Sequence, residues 1–381
     1  MALKLYNDSD IQNIASAIRN KNGQSSFYTV SQMADAINAI PSGGGGGGLE
    51  LVTLEQRQAL SVASGSHTNI FFGAFRSCSN LTSVSFPECT SIGSYAFYDC
   101  SSLSRVTLSS TVNDVGEYAF FKCGRLNHGY ITYGIYSTIS IISTGTFGYT
   151  GNMSGTFSLC EKIGNDAFTN SFISYISAPV CSSIGGNAFY SCSKLSRAYF
   201  PECLYVGPDA FFNCDSLATI SFPKCTTIDI RAFGNRNSLV DVSFPQCLSI
   251  SDYAFRSAGI KTVSFPECTL IRTGAFSTCS KLTSAYFPKC TSIGYSAFYS
   301  CKVMKTASFP MCTYISPSAF YSCASLSQLY IGTSRCSLAH SSAFMNTPLS
   351  RTGSIYVPSD YVSWYKTATN WTMYSSRIVG Y

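Results

Sequence analysis

The chain has 381 residues, only 12% of them charged, and its formal net charge at neutral pH is +6. Typical soluble domains contain about 25% charged residues, so this chain is unusually poor in charge. The positive excess is spread without a basic run, and no apolar stretch reaches about 18 residues, so the sequence predicts neither a nucleic-acid partner nor insertion into a membrane.

Residues 1–41 predict a small helical hairpin. Apolar residues recur at i, i+3, i+4 and i+7 between Ile11 and Ile18, directly after the capping residue Asp10. Gly23 suits the end of this helix, and a second helix is predicted to end at Pro41. Because a piece of this size buries little apolar surface, we expect its stripes to pack against a partner or a second copy.

The order of these two helices, followed by the glycine run Gly43–Gly48, is similar to the short N-terminal module of phage tail-associated proteins. That module belongs to phages and prophages of Gram-positive bacteria, and the resemblance rests on residues 10–23 and 28–41. It implies that residues 1–41 attach the chain to a phage tail or baseplate protein. Residues 1–10 lack the basic start and apolar core of a secretory signal peptide, so we expect another route out of the cell, such as lysis.

Residues 42–48 predict a flexible glycine linker, which is not a phosphate-binding loop because no Gly-Lys-Ser/Thr follows it. Residues 49–66 are expected to form the N-terminal cap of the region that follows. The segment Leu49–Leu54 could supply a covering strand, since an open coil would expose apolar core and an unpaired edge.

From residue 67 to residue 357 the chain repeats an Ala-Phe pair. Most steps between successive pairs are 21, 22 or 23 residues, with exceptions of 27 and 24. Self-similarity at such a period predicts a solenoid of stacked coils, about thirteen of them here. The phenylalanines of the series are Phe75, Phe97, Phe120, Phe147 (after Thr146), Phe168, Phe189, Phe211, Phe233, Phe255, Phe276, Phe298, Phe320 and Phe344.

One repeat, residues 282–301, shows how the sequence pattern predicts the structure of a coil. Side chains alternate across a strand, so Ala285 and Phe287 are predicted to point inward while Ser284 and Tyr286 point outward. Pro288 then ends the strand, because it has no N–H for the ladder. The next Ala-Phe pair turns the chain back over the core, with Ala where the coil closes and Phe between coils.

The motif L-x-x-V-x-F-P-x-C-x-x-I-x-x-x-A-F-x-x-C, seen at Leu81–Cys100 and Leu195–Cys214, resembles the BspA-type leucine-rich repeats of bacterial surface proteins. The resemblance implies a curved, parallel solenoid and does not by itself imply a ligand. The predicted fold class is therefore a repeat solenoid, a leucine-rich-repeat-like stack of about 13 coils with a parallel β-sheet on one face, plus the N-terminal hairpin.

All eighteen cysteines fall in two columns of the repeat, eight residues before or three residues after the ladder phenylalanine. A buried free cysteine behaves as a small apolar residue, so we expect reduced structural thiols. Disulfides remain an alternative, and so does zinc, although the chain contains no C-x-x-C pair.

Residues 124–160 interrupt the rhythm with an extended, aromatic run that includes Tyr130, Tyr133 and Tyr136. One interpretation is a longer coil of strand and loop that still packs on its neighbours. The other is a protruding, tyrosine-rich loop that contacts a ligand, because loops often carry function.

Two outward columns of the predicted strands are rich in hydroxyl groups, nearly uncharged and punctuated by tyrosine. Such a surface suits recognition, since Tyr offers rigid amphipathic contact and Ser adaptable hydrogen bonds. The alternative is that Ser and Thr are simply good residues for solvated strands. Together with the three tyrosines of the interruption, the candidate ligand-binding residues are Arg197, Tyr199, Asp241, Tyr286, Gln328 and Tyr330.

Residues 358–381 are predicted to be the C-terminal cap. Pro358 suits the start of a short helix, and both tryptophans, Trp364 and Trp371, follow it. We interpret this segment as an apolar lid, with a sugar-binding aromatic patch as the alternative.

The sequence indicates no catalytic chemistry, metal site or cofactor. Its three histidines, His67, His128 and His340, lie in no metal or triad motif, and neither H-E-x-x-H nor G-x-S-x-G occurs. We therefore predict a non-enzymatic, phage tail-associated protein that binds a glycan or protein receptor on the host bacterial surface. It would be made in the bacterial cytoplasm and carried on the virion tail. The sequence does not decide whether it forms a homo-oligomer. The alternatives are a BspA-type cell-surface adhesin, an intracellular protein-protein interaction scaffold and an enzyme.

Overall fold

The computed structural model describes residues 61–65, 68–127, 131–132, 135–235, 238–333 and 335–381. The chain divides into two compact units, unit 1 up to Met153 and unit 2 from Ser154 to Tyr381. Each unit is a parallel β-solenoid, as the repeat predicts. The predicted hairpin (1–41), the linker (42–48) and most of the predicted cap (49–66) lie outside the described residues.

Each coil of unit 1 contributes one longer strand and one short strand, and the strands of each kind run parallel from coil to coil. In the longer row Val84 pairs with Val106, and in the short row Ile70 pairs with Ile92, so the apolar positions stay in register. The longer strands are β1 (Val62–Ser64), β3 (Ser83–Phe86), β5 (Arg105–Leu108) and β7 (Ile131–Thr132). The short strands are β2 (Asn69–Ile70), β4 (Ser91–Ile92), β6 (Asp114–Val115) and β8 (Ile141–Ile142).

Unit 2 repeats this arrangement over more coils. Its longer strands are β9 (Gly155–Thr156), β11 (Tyr175–Ser177), β13 (Arg197–Tyr199), β15 (Thr219–Ser221), β17 (Asp241–Ser243), β19 (Thr262–Ser264), β21 (Ser284–Tyr286), β23 (Thr306–Phe309), β25 (Gln328–Ile331), β27 (Ser354–Val357) and β28 (Ile378–Gly380). Its short strands form one continuous row: β10 (Lys162–Ile163), β12 (Ser183–Ile184), β14 (Tyr205–Val206), β16 (Thr227–Ile228), β18 (Ser249–Ile250), β20 (Leu270–Ile271), β22 (Ser292–Ile293), β24 (Tyr314–Ile315) and β26 (Ser337–Leu338).

The predicted alternation along the strands is confirmed. In β21 and just after it, Ala285 and Phe287 are buried, whereas Ser284 is half-buried and Tyr286 is exposed. The strand ends at Tyr286, directly before Phe287 and Pro288. The alternation therefore separates a continuous apolar core from an outward surface on every coil.

The Ala-Phe turn forms a third hydrogen-bonded row. The backbone N–H of Phe298 donates to the carbonyl of Ala319 in the next coil over 2.7 Å, and Phe276 donates to Ala297 over 2.8 Å. The turn also places Ser296 and Ser300 in the left-handed region, with φ of 52° and 58°. Because the rows of hydrogen bonds fix the separation of the coils, the side chains between coils must fill a space of fixed height.

Phenylalanine fills that space in two stacked columns. In unit 2 the ladder rings from Phe168 to Phe344 lie with their centroids 5.0 to 5.6 Å apart, nearly parallel from coil to coil. A second column, from Phe200 to Phe309, has centroids 5.5 to 5.8 Å apart. The columns meet edge to face or tilted, the geometry that aromatic quadrupoles favour.

The eighteen cysteines are free and buried, and the two columns have different roles. In the column before the ladder phenylalanine, the thiol donates to the carbonyl two residues later, as Cys290 does to Ser292 over 3.3 Å. In the column after it, the thiol reaches the previous coil, as Cys301 does to the Phe276 carbonyl over 3.1 Å. The Phe276 carbonyl also accepts from the Cys279 backbone N–H over 3.3 Å, so the thiol of this second column adds a donor from the next coil.

The interrupted region contains little regular structure. The strand β7 is followed by the one-turn helix α1 (Ile135–Thr138), and the ladder resumes at Phe147, whose ring stacks on Phe120 at 5.8 Å. Tyr136 lies in α1, half-buried, with its hydroxyl 4.0 Å from the sulfur of Met153. Tyr130 and Tyr133 lie outside the described residues.

The end of the chain closes over the last coil of unit 2. Trp371 is fully buried, and its indole Nε1–H donates to the Cys336 carbonyl over 2.7 Å. Tyr365 is also buried and accepts from the Cys336 backbone N–H over 3.1 Å. The helical elements here are η1 (Ser341–Phe344), η2 (Pro348–Ser350), η3 (Ser359–Tyr361), α2 (Val362–Thr367) and η4 (Thr372–Arg377). No helix among the described residues is long and apolar enough to cross a membrane.

Candidate functional site

Six of the candidate residues lie on the outward face of the longer strands of unit 2, which we call the long-strand face. Their columns are in register: Thr219 pairs with Asp241, and Ser264 pairs with Tyr286. The same columns continue to Gln328 and Tyr330 on β25. Every second residue of each strand therefore contributes to one surface, as the alternation requires.

The hydrogen-bonded ladder of this face is interrupted twice. The strands β15 and β17 form a pair of their own, separate from the sheet that ends at β13 and from the sheet that begins at β19. The inward residues Ala198 and Val242 are only half-buried here, whereas their counterparts Ile176 and Val263 on neighbouring coils are buried. The interruption therefore opens the surface to the apolar layer beneath it.

A shallow depression of about 300 Å³ lies at this point. Arg197 and Asp241 both line it, with Thr219 and Ser221 between them and Ile220 in the floor. Charged groups of both signs, hydroxyl groups and an apolar floor are thus brought together on three consecutive long strands. A site of this kind can orient a polar ligand through a few directed hydrogen bonds.

The flanking side chains extend the surface around the depression. The Arg197 guanidinium lies over the ring of Tyr175, 5.5 Å from its centroid, which restrains the arginine. Tyr199 is 59% exposed and points outward from the same strand as Arg197. Both are therefore available to a ligand in the unbound protein.

The remaining candidates on this face lie elsewhere. Tyr286 is 49% exposed, but Gln328 and Tyr330 are half-buried. The Tyr330 ring stacks on Tyr356 at 4.5 Å, so part of its surface is already used. With about 4.8 Å between strands, six strand spacings place β25 about 29 Å from β13. A small ligand in the depression cannot contact both ends, whereas a polymer lying along the face can.

Several pKa shifts in unit 2 belong to buried thiols and to tyrosine hydroxyls. Burial raises the pKa of the Cys268 thiol to about 12, so it stays protonated and unreactive near neutral pH. Partial burial, together with the hydrogen bond to Asp229, raises the pKa of the Tyr205 hydroxyl to about 12. The described residues contain no group of three or more His, Cys, Asp or Glu side chains placed to hold a metal ion. His340 instead caps η1, where its Nδ1 accepts from the Ser342 N–H over 3.0 Å.

Unit 1 carries an aromatic surface that the sequence analysis missed. It consists of Phe72, Tyr95, Tyr98, Tyr118, Phe121 and Tyr149, which we call the unit 1 aromatic cluster. Neighbouring rings are stacked, tilted or edge to face, with centroids 5.2 to 5.5 Å apart. Arg76 lies over two of them, 5.5 Å from the Tyr95 centroid and 5.3 Å from the Tyr98 centroid.

A pattern in the repeat points to this cluster. Tyr95 and Tyr118 lie two residues before ladder phenylalanines, and Tyr98 and Phe121 lie one residue after them. Because the turns stack in register, aromatic residues at the same position of consecutive repeats become neighbours. Gly145 continues the first of these columns, and its missing side chain leaves room for the flat ring of Tyr118.

Comparison with known proteins agrees with the repeat architecture. The model of the BspA type leucine rich repeat region matches residues 61–161, 161–282 and 248–368, with six copies. Among solved structures, a leucine rich cell surface protein from Faecalibacterium prausnitzii is 20% identical, with 72% of this chain and 88% of that chain covered and a TM-score of 0.41. A leucine-rich repeat protein from Bacteroides ovatus is 19% identical, with 77% and 88% covered and a TM-score of 0.47. No similar protein was found among the curated proteins.

Proposed function

Since the chain belongs to the BspA-type leucine-rich repeat family, we propose that it is a non-enzymatic binding protein whose long-strand face holds a ligand on a bacterial surface. The observation that carries the proposal is the interrupted ladder of unit 2. There Arg197 and Asp241 line one depression, and Tyr199 stands exposed on the strand that carries Arg197. Arg and Tyr are enriched among the residues that dominate binding energy at interfaces.

The ligand of this face is a polymer, a surface glycan or an extended protein segment. The face repeats every strand, so a chain of similar units finds similar groups along it. The hydroxyl-rich columns supply hydrogen bonds. The exposed Tyr286, on β21, supplies a further aromatic contact four coils from Tyr199 on β13. Because few charges are present, the expected contacts depend little on salt apart from those of Arg197 and Asp241.

We further propose that the chain is carried on a phage tail, where residues 1–41 attach it to a tail or baseplate protein. This part of the proposal is supported by the resemblance of those residues to the phage tail-associated module. Several copies on one particle would multiply a weak individual affinity, because each further contact becomes intramolecular. A BspA-type adhesin on the bacterial surface is the second candidate, and an intracellular scaffold is the third.

The long-strand face is tested with fluorescently labelled full-length chain and intact Gram-positive cells, with bound chain measured by flow cytometry. We expect the double variant Arg197→Ala/Asp241→Ala to bind at least tenfold more weakly than the wild type, and Tyr199→Ala to weaken binding as well. The matched control Arg351→Ala/Asp360→Ala removes the same two residue types from exposed positions in the last 31 residues of the chain. Equal binding by wild type and the Arg197/Asp241 variant would show that the depression is not the site.

Two further measurements define ligand and carrier. Treating the cells with periodate destroys glycans, and treating them with protease destroys surface proteins, so the treatment that abolishes binding identifies the ligand class. Mass spectrometry of purified phage particles tests the carrier: peptides of this chain at several copies per particle support the tail proposal. Their presence in the cell-wall fraction alone would favour the adhesin.

A further inference from the structure

A second depression, of about 290 Å³, lies in unit 1 at the corner that follows the short strands. It is lined by Asn69, Ser91 and Asp114 on one side and by Phe71, Phe72 and Ser94 on the other. Gly93 also lines it, and a side chain there would collide with the backbone of Phe71 and Phe72. The glycine therefore allows these two coils to approach closely at the depression.

The polar side is a row of three different groups held in register. Asn69, Ser91 and Asp114 face outward at equivalent positions of β2, β4 and β6, so they follow one another at the strand spacing of about 4.8 Å. The Ser91 hydroxyl donates to Oδ1 of Asn69 over 2.8 Å, which fixes the orientation of the amide. Both Nδ2–H donors of Asn69 and the carboxylate oxygens of Asp114 make no hydrogen bond or ion pair with the described residues.

The other side is aromatic and rigid. Phe72 is 48% exposed, and its ring is supported by Tyr95, with the centroids 5.5 Å apart. Tyr95 in turn stacks on Tyr118 at 5.2 Å, and the Tyr118 ring lies against the bare backbone of Gly145. The Phe72 ring is thus held at the edge of the depression before any ligand binds, which lowers the entropic cost of binding.

These groups select the chemistry of a ligand. The Asn69 N–H donors and the Asp114 carboxylate have no partner among the described residues, and they suit a ligand that both accepts and donates hydrogen bonds, as hydroxyl groups do. The exposed ring beside them offers contact to an apolar patch of the same ligand. Asp114 is the one charged side chain among the described residues of the lining, and its negative charge disfavours anions. We propose that this depression is a carbohydrate site, which takes one or two neutral sugar residues of a glycan between the Asn69–Ser91–Asp114 row and the ring of Phe72.

The proposal is independent of the long-strand face and is tested without it. The probe is a panel of neutral sugars (glucose, galactose, N-acetylglucosamine and their β-linked disaccharides) with the full-length chain, measured by saturation-transfer NMR and titration calorimetry. We expect at least one sugar to bind at millimolar or lower concentration, with an affinity that is insensitive to salt between 50 mM and 500 mM because the ligand is uncharged. Asp114→Asn and Phe72→Ala should each weaken that binding at least tenfold.

Two variants in unit 2 are the matched controls. Asp360→Asn removes a carboxylate from an exposed position outside both proposed sites. Phe172→Ala removes a ring that is 57% exposed. Both should leave sugar binding unchanged. Asp114 is exposed and unpaired among the described residues, so Asp114→Asn should fold, and the circular dichroism spectrum of each variant checks this.

Three results would overturn the proposal. The first is that no sugar of the panel binds. The second is that a sugar binds equally well to wild type, Asp114→Asn and Phe72→Ala. The third is that tetramethylammonium, used as a cationic probe, binds in a salt-dependent and Asp114-dependent manner while the sugars do not, which would assign the depression to a cation. Loss of cell binding by the Arg197/Asp241 variant with intact sugar binding would separate the two sites.

Discussion

Replacing Phe298 by alanine tests whether the stacked rings hold the coils together. Phe298 is fully buried, and its ring stacks on Phe276 at 5.3 Å and on Phe320 at 5.2 Å. It also meets Phe287 and Phe309 edge to face, at 6.1 Å and 5.8 Å. The substitution therefore removes four aromatic contacts at once.

The expected loss is at the upper end of the range for such changes. A buried Phe→Ala substitution costs about 3 to 5 kcal/mol, and the cost grows with the volume of cavity that remains. Here the coils cannot close over the cavity, because hydrogen-bonded rows such as Phe298 N–H to the Ala319 carbonyl set their separation. We therefore expect the free energy of unfolding to fall by about 5 kcal/mol.

The assay is urea unfolding of the full-length chain followed by circular dichroism, with amide hydrogen exchange as a local measurement. Neighbouring repeats carry most of the coupling in a solenoid, so exchange should accelerate most in the coils of Phe276 and Phe320. Phe172→Ala, at an exposed ring, is the control and should change stability by less than about 0.5 kcal/mol. A loss below about 1 kcal/mol for Phe298→Ala, with an unchanged denaturant dependence, would refute the reasoning, because it would mean that the coils relax freely.

The remaining predictions concern the thiols and the C-terminal cap. Burial raises the pKa of the Cys203, Cys225 and Cys268 thiols from 9.0 to about 12, so the folded state binds more protons than the unfolded state above pH 9. The free energy of unfolding should thus be constant below pH 9. As the pH rises from 9 towards 12, it should fall by about 1.4 kcal/mol per pH unit for each such thiol. Urea titrations at pH 7.5, 9 and 10 measure this, and no fall above pH 9 would contradict it. The same burial should protect the native thiols from iodoacetamide at pH 8, whereas the urea-unfolded chain reacts at all eighteen; rapid native labelling would contradict the burial. Trp371→Phe should destabilise the chain by about 1 to 3 kcal/mol, because it leaves the buried Cys336 carbonyl without its indole donor, and a thermal melt unchanged from the wild type would show that this bond contributes nothing.

Much of the architecture could be predicted from the sequence, because one pattern recurs along most of the chain. Alternation within each strand decides that Ala285 points inward and Tyr286 outward, whatever the neighbouring coils contain. The period of the Ala-Phe pairs likewise predicts stacked coils, and both expectations are confirmed by the strand register. The positions of the candidate residues on the long-strand face follow from the same alternation, so Arg197 and Asp241 could be placed on one surface without the structure.

What only the tertiary structure decided is how consecutive coils differ where their sequences look alike. Tyr199 and Tyr330 occupy the same repeat position, yet Tyr199 is exposed while Tyr330 is half-buried against Tyr356. The interruption of the ladder beside β15 and β17, which opens the depression, has no counterpart in the repeat motif. The row formed by Asn69, Ser91 and Asp114 joins residues more than twenty positions apart, each unremarkable in its own repeat. The physical reason is the same in every case: local pattern determines which way a side chain points, but its exposure and partners depend on the residues that the neighbouring coils place beside it.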